Sequence, residues 1–245
     1  MTTTTTQAHI VIGFYTPNYE RLAVAFAKNL DQHAIPHHLY AVPASAWNNA
    51  ILLKPQIIKR ALQDFPGKTV VLMDIDCNLL GPIAPVVGFH GDISLYMGVR
   101  YHPKARKKSL RLRVLPSSRV ILCHNTPNTN ALIDTWQRLC ADQDPARPEK
   151  DDEQLLMEAI GTTHGLALNI LDKRYSGRDP LDAPKDAVIT HYSAHDSFRT
   201  ANEPRRQIKH LKRQFVGWIV GKPYKQWKYG IKPPPDDKPP PPDDM

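Results

Sequence analysis

The sequence has few cysteines and no long apolar run. Its three cysteines, Cys77, Cys123 and Cys140, are an odd number at spacings that fit neither a disulfide framework nor a zinc site. No window approaches the roughly 18 uninterrupted apolar residues of a membrane-spanning helix. Residues 1–8 lack the basic and apolar regions of a signal peptide, and we expect them to form a short frayed N-terminal segment. These absences predict a cytoplasmic protein that is soluble or peripheral to a membrane.

Basic residues are in excess and are unevenly distributed. The net charge is +8, and residues 104–113 hold six cations without an acid. A second basic stretch, residues 199–232, interleaves its cations with aromatic residues. Cations alone suggest an anionic partner, and cations with apolar anchors suit an anionic membrane surface. The same composition also fits a nucleic-acid-binding protein, since aromatic residues stack on bases and cations contact phosphates.

The rest of the chain alternates strand-like and helix-like segments. Hydrophobic residues make up 41% of the 245 residues, enough for one packed domain. Apolar runs predict strands over residues 9–15, 38–42, 68–74, 91–98, 118–124, 166–171 and 187–190. Helical spacing predicts helices over residues 19–33, 54–65, 129–140 and 151–160. This alternation predicts an α/β domain over residues 9–199, followed by a basic appendage over 200–231 and a disordered proline-rich tail over 232–245.

Two acidic residues follow the clearest buried strand. Its apolar run, Val70 to Met73, ends abruptly in Asp74-Ile75-Asp76. The carboxyl ends of strands are where open α/β sheets bind ligands. Two carboxylates one residue apart can share a hard divalent cation, Mg²⁺ or Mn²⁺, of the kind that neutralises a diphosphate. The pair alone is a weak signal, because acids also begin loops after strands.

Further motifs accompany this pair in one order along the chain. They are Lys54-Pro55 at a helix start, the Asp74-Ile75-Asp76 strand end, the strand of residues 119–125, Asp152-Glu-Gln154 and His191-Tyr-Ser193. Together they resemble the GT-A nucleotide-diphospho-sugar transferases over roughly residues 9–199. The resemblance implies a GT-A-like single domain with a mostly parallel central sheet flanked by helices. It also implies a metal-dependent glycosyltransferase that takes a sugar from a nucleotide-diphosphate donor.

The resemblance assigns a metal site and part of a donor site. It places Mn²⁺ or Mg²⁺ on Asp74, Asp76 and His191, although a strand-end histidine can also simply bond to the backbone. Asp74 would also contact the donor diphosphate. Tyr15 and Thr16, on the first strand-to-loop turn, would hold the base and ribose, and Tyr15 could equally be a half-buried aromatic.

The remaining predicted roles each have an ordinary structural explanation as well. Lys54 would be a cation near the donor or a solvated helix residue. Asp152 and Gln154 would be the catalytic residues that hold sugar hydroxyls, or residues that cap a helix. Similar transferases follow the late histidine with a glycine and a lysine-containing turn, which this sequence lacks, and Arg199 or His195 would substitute.

The chemistry after donor binding stays open at this point. The resemblance favours retention of configuration, whereas an inverting enzyme would need a carboxylate base, for which Asp152 or Glu153 would serve. The two basic stretches suggest a glycan acceptor, such as an anionic glycolipid or polysaccharide precursor at the inner membrane face. The alternatives are a nucleotidyltransferase or other metal-phosphate enzyme, whose usual glycine-rich loop is missing, and a basic nucleic-acid-binding protein, which leaves the buried acids unexplained.

Overall fold

A six-stranded mixed sheet forms the centre of the fold. The computed structural model describes residues 8–44, 47–101, 112–178 and 183–191. The strands are His9–Tyr15 (β1), His37–Ala41 (β2), Thr69–Met73 (β3), Cys77–Leu79 (β4), Ile93–Tyr101 (β5), Leu112–Cys123 (β6), Leu168–Ile170 (β7) and Ile189–His191 (β8). The large sheet has the order β2-β1-β3-β6-β5-β7, and β4 pairs with β8 in a separate two-stranded sheet.

Only β6 runs against the other strands of the large sheet. The pairs β1–β2, β1–β3 and β5–β7 are parallel, while β6 is antiparallel to both β3 and β5. The carboxyl ends of β1, β2, β3, β5 and β7 therefore meet at one edge of the sheet. The prediction of an α/β fold with a mostly parallel central sheet is confirmed.

Helices cover both faces of this sheet. They are Glu20–Gln32 (α1), Trp47–Ala50 (α2), Lys54–Asp64 (α3), Ala84–Val87 (α4), Pro127–Ala141 (α5) and Asp152–Thr162 (α6). Side chains alternate across a strand, so neighbouring residues of β3 enter different cores. Val70 and Leu72 pack with α3, α5 and α6, whereas Val71 and Met73 pack with α1, α4 and the β4–β8 sheet. Within the described residues, no helix has the length and apolar character needed to cross a bilayer.

The sequence predicted only one of the two strands of the small β4–β8 sheet. The predicted late strand over residues 187–190 is present as β8, but β4 and the short helices α2 and α4 were not predicted. β6 also begins earlier than predicted, so the end of the first basic stretch belongs to a strand. Residues 102–111 and the predicted segments 200–231 and 232–245 lie outside the described residues.

Candidate metal and donor site

The two acids lie on a tight turn that joins the large sheet to the small one. The Asp74 backbone N–H donates to the Arg119 carbonyl of β6 at 2.9 Å, which fixes the start of the turn. The Cys77 N–H donates to the Asp74 carbonyl at 2.9 Å and closes it. Ile75, between the acids, packs against the core that contains α1. The turn therefore anchors its apolar residue and leaves both carboxylates at the sheet edge.

Gly13 of β1 gives Ile75 the space it needs. A Cβ at Gly13 would lie 3.1 Å from Ile75 Cγ2, from a Leu39 methyl carbon and from the Met73 carbonyl oxygen. These separations are tighter than ordinary van der Waals contacts, so with a larger residue at this position Ile75, Leu39 or the Met73 carbonyl would have to shift by a few tenths of an ångström. The glycine at this point of the first strand is thus part of the local geometry of the site.

Strand β8 brings His191 to the acids. In the antiparallel β4–β8 pair, Cys77 lies opposite His191, so the histidine is next to the residue that follows Asp76. His191 Nε2 is 3.0 Å from Asp76 Oδ1. One ligand atom from each of Asp74, Asp76 and His191 can be chosen so that all three lie within 4.8 Å of one another. The structure brings together the three residues that the sequence predicted as metal ligands.

Lys54 connects Asp74 to Asp152 in a buried ion network. Its Nζ lies 2.9 Å from Asp74 Oδ1 and 3.0 Å from Asp152 Oδ2, and the lysine side chain is only 5% exposed. Nζ also donates to the Ser118 carbonyl at 3.2 Å and to Ser118 Oγ at 3.0 Å. The Ser118 hydroxyl in turn donates to Asp152 Oδ2 at 2.6 Å. Lys54 is therefore near the predicted donor site, but its ammonium is already occupied by protein groups.

An irregularity in β6 places Ser118 in this network. Leu95 pairs with Ile121, but Met97 pairs with Pro116, so residues 117–120 of β6 stand opposite a single residue of β5. Extra residues in one strand of a pair bend it and redirect its side chains. This bulge directs Ser118 toward the start of α3 and the start of α6.

The charged groups around the turn shift one another's pKa values. Burial raises the pKa of the Asp74 carboxyl; Lys54 acts to lower the pKa, and Asp76 raises it through like-charge repulsion, with a raised pKa as the result. For Lys54, burial alone would lower the pKa, but the charges of Asp152 and Asp74 outweigh it and raise the pKa well above its ordinary value. The lysine is thus held as a cation between two carboxylates.

The donor set fits a divalent cation. Two carboxylates and an imidazole, with exposed fractions of 21% for Asp74, 10% for Asp76 and 17% for His191, open partly to solvent while remaining held by the fold. Oxygen ligands suit Mg²⁺ and Mn²⁺, and an imidazole is a common ligand of the transition metals. The types of ligand and the spacing of the three residues therefore both suit such an ion.

The start of α6 separates the two residues predicted as catalytic. Asp152 is buried in the Lys54 network and is 6% exposed. Gln154 instead completes a capping box with Asp151: the Gln154 N–H donates to Asp151 Oδ1 at 2.8 Å, and Gln154 Oε1 accepts from the Asp151 N–H at 3.2 Å. Such a box supplies partners for N–H groups at a helix start. Asp152 therefore borders the site, while the side chain of Gln154 is engaged in the cap.

Tyr15 and Thr16 lie at the carboxyl end of β1, on the same sheet edge. Tyr15 is half-buried and ends the strand, and Thr16 is 3% exposed. The Thr16 hydroxyl is buried and has no hydrogen-bond partner among the described residues. Burying a hydroxyl without a hydrogen-bond partner is energetically unfavourable, and such groups are rare in folded proteins. The predicted substitutes His195 and Arg199 lie outside the described residues.

This chain is similar to known proteins in structure but not in sequence. No family model matches the sequence, and no curated protein matches it. A glycosyltransferase involved in glycosylation of the major capsid of PBCV-1 superimposes with a TM-score of 0.56 at 12% identity, covering 76% of this chain and 93% of that one. The glycosyltransferase GlyE of Streptococcus pneumoniae TIGR4 superimposes with a TM-score of 0.50 at 14% identity, covering 79% of this chain and 56% of that one. The chain has the GT-A fold.

Within this GT-A fold, two residues of the site were not predicted from the sequence. Ser118 links Lys54 to Asp152, but a serine inside a strand pattern gives no signal of a bulge. Asn29 of α1 bonds to both backbone groups of Leu79 in β4, and a polar residue on a predicted helix would ordinarily be assigned to solvent. Both residues act through long-range contacts that sequence periodicity does not report.

Proposed function

We propose that this protein is a metal-dependent glycosyltransferase that moves a sugar from a nucleotide-diphosphate donor to an acceptor. One observation carries the proposal: Asp74, Asp76 and His191 converge at the carboxyl edge of the sheet in a GT-A fold. A likeness in fold does not by itself define an activity, so this cluster is needed to support the proposed one. The resemblance of the sequence motifs to GT-A transferases points the same way.

The metal's contribution would be electrostatic. Mn²⁺ or Mg²⁺ on Asp74, Asp76 and His191 would neutralise the diphosphate of the donor and the charge that develops on it as the glycosidic bond breaks. Other contacts within the protein hold these ligands in position. Lys54 holds Asp74 by an ion pair at 2.9 Å, and the β4–β8 pairing holds His191 beside Asp76.

The donor's nucleoside would occupy the end of β1. Tyr15 offers an aromatic face for a base, and Thr16 offers a hydroxyl that has no partner within the described residues. A ribose hydroxyl would supply that missing hydrogen bond. Arg199, if it reaches this edge, would bind phosphate oxygens. The donor sugar would then lie toward Asp152, and Gln154 is kept as a predicted catalytic residue on the first turn of the same helix.

We favour retention of configuration. An inverting reaction requires a carboxylate that can accept the acceptor's proton. Asp152 and Glu153 are each 6% exposed, and Asp152 Oδ2 already accepts from Ser118 and Lys54. A carboxylate with this environment is better suited to orienting a sugar than to removing a proton from an incoming hydroxyl.

For the acceptor we propose an anionic glycolipid or polysaccharide precursor at the cytoplasmic face of a membrane. The support comes from the sequence: residues 104–113 and 199–232 are strongly basic, and the second stretch also contains aromatic anchors. Both features match a peripheral protein that works on an anionic substrate.

The test uses a panel of nucleotide sugars with and without Mn²⁺. Thermal shift reports binding, and release of free nucleoside diphosphate reports slow donor hydrolysis. We expect one donor to stabilise the wild-type protein only when Mn²⁺ is present, and to be hydrolysed. Asp76→Asn should lose both effects, since it removes one ligand charge. Asp134→Asn is the matched control, because Asp134 pairs with Lys59 on the surface, away from the site.

The outcomes separate the alternatives. If no nucleotide sugar shifts the melting temperature while single-stranded nucleic acid does, the transferase proposal is wrong and the basic segments form the functional surface. If a nucleoside triphosphate with Mg²⁺ binds and releases pyrophosphate, the protein is a nucleotidyltransferase instead.

A further inference from the structure

The side chain of Asn29 binds the backbone of β4 from the side opposite β8. Asn29 Nδ2 donates to the Leu79 carbonyl at 3.0 Å, and Asn29 Oδ1 accepts from the Leu79 N–H at 2.7 Å. The two bonds satisfy both backbone polar groups of one residue. A primary amide can do this because it carries a donor and an acceptor side by side, as a peptide group does.

This contact compensates for the small size of the β4–β8 sheet. Each strand has three residues, and among the described residues the sheet has two strands, with a single bridge from Arg178 to Thr190 on the outer side of β8. An isolated two-stranded sheet is marginally stable in water. Asn29 takes the place of a third strand at Leu79, and it lies on α1 between the buried residues Phe26 and Leu30. The small sheet is thereby attached to a helix that is packed on the main core.

The small sheet carries two of the three candidate metal ligands. Asp76 immediately precedes β4, and His191 ends β8 opposite Cys77. Leu79 pairs with Ile189 in the same ladder, so the position of Leu79 sets the register that places His191 beside Asp76. A shift of β4 would change the separation between these ligands and Asp74, which belongs to the end of β3.

We propose that Asn29 is a positioning residue of the metal site: its amide fixes β4 against α1 and so holds Asp76 and His191 at the spacing that a divalent cation requires. The inference rests on the proposed metal-dependent function. It assigns to a residue on the first helix an effect on metal affinity, without any contact with the metal. Residues that orient metal ligands typically affect affinity about 10- to 100-fold.

The experiment measures the binding of Mn²⁺ alone, without nucleotide, by isothermal titration and by the electron paramagnetic resonance signal of free Mn²⁺. Asn29→Leu removes both bonds and keeps the number and branching of the side-chain heavy atoms, and Asn29→Asp keeps the acceptor for the Leu79 N–H but loses the donor. The matched control is Asn169→Leu, because Asn169 Nδ2 also donates to a distant backbone carbonyl, that of His90, at 2.6 Å, but on the β7 side of the sheet. All titrations are made well below each variant's melting temperature.

We expect the dissociation constant for Mn²⁺ to rise about tenfold in Asn29→Leu and by a smaller factor in Asn29→Asp, with Asn169→Leu unchanged. Because Asn29→Asp retains one bond, it keeps the test valid if the leucine variant does not fold. If both Asn29 variants bind Mn²⁺ as tightly as wild type and only melt earlier, Asn29 has a purely structural role and the inference is wrong while the proposed function stands. If the wild-type protein does not bind Mn²⁺, the metal site and the inference both fail.

Discussion

Replacing Lys54 with methionine tests whether the buried ion network holds the site together. Methionine keeps the length and most of the volume of lysine but removes the charge. Asp74 and Asp152 would then lose the cation that lies 2.9 and 3.0 Å from their oxygens. The Ser118 carbonyl and hydroxyl would lose the same donor. Two largely buried carboxylates would remain near each other without compensation.

The size of the effect follows from this burial. Lys54 is 5% exposed and Asp152 is 8% exposed at their side chains, so solvent replaces little of the lost interaction. Removing one partner of a buried ion pair destabilises a protein by about 3–5 kcal/mol. At about 2–4 °C for each kcal/mol in a domain of this size, the melting temperature should fall by roughly 6–20 °C.

The control is on the same helix. Lys59 also pairs with an aspartate, Asp134, at 2.6 Å, but the two side chains are 42% and 56% exposed. Exposed pairs contribute about 0–1 kcal/mol, so Lys59→Met should have little effect. Both variants are compared by urea denaturation in EDTA, so that no metal compensates the charge of Asp74.

The pH dependence gives a second readout. Burial opposes the charge of Lys54, but Asp152 and Asp74 raise its pKa, so its contribution is fully present below the ordinary lysine value of about 10.4. The pKa of Asp74 is raised, mainly by burial, so Asp74 readily takes up a proton on acidification and the penalty of Lys54→Met should shrink. If Lys54→Met stays within about 1 kcal/mol of Lys59→Met at neutral pH, the network does not stabilise the fold as argued.

Two further predictions concern a hydroxyl at the site and a carboxylate at the opposite edge of the sheet. Thr16→Val removes a buried hydroxyl without a described partner, so donor affinity measured by calorimetry should fall about 3- to 10-fold while stability does not decrease; unchanged affinity would remove Thr16 from the donor site. Asp92 is buried, which acts to raise its pKa, but bonds from Thr126, the Ala167 N–H and Asn128 lower the pKa overall. Its stabilisation is therefore present above about pH 3.9 and is lost as pH falls through the lower folded-state pKa. Asp92→Asn should cost about 1–3 kcal/mol at pH 7 and flatten the acid side of the stability profile, and an unaltered acid side in urea denaturation would contradict this reasoning.

The large sheet could be predicted because its signals are local. The strand that ends at Met73 is a continuous apolar run, and the helix from Lys54 to Asp64 has an apolar face and is followed by Pro66-Gly67. The two acids after the strand are separated by one residue in sequence, and their ligand atoms lie within 4.8 Å of each other. The sequence alone was therefore enough to predict a pair of acids at the carboxyl edge of the sheet.

The remaining parts of the site depend on contacts between distant residues. β4 has three residues, too few for a recognisable period, and its partner β8 lies more than one hundred residues later in the chain. The burial of Lys54 depends on a bulge in β6, which brings Ser118 over the start of α3. Helical spacing predicted the helix correctly, but it does not show that the first residue of that helix is inside the protein.

The three candidate ligands are held by two supports of different chemistry. Asp74 ends a strand of the large sheet and is held by Lys54, whose other contacts reach α6 and β6. Asp76 and His191 belong to the small sheet, which is attached to α1 through Asn29. The first support is ionic and buried, so it resists displacement strongly. The second combines a few neutral hydrogen bonds, each worth only about 1 kcal/mol, with the packing of Cys77, Leu79 and Ile189 in the core beside α1. Asn29→Leu weakens the second support alone, so it should shift Asp76 and His191 relative to Asp74 and leave the Lys54–Asp74 pair in place.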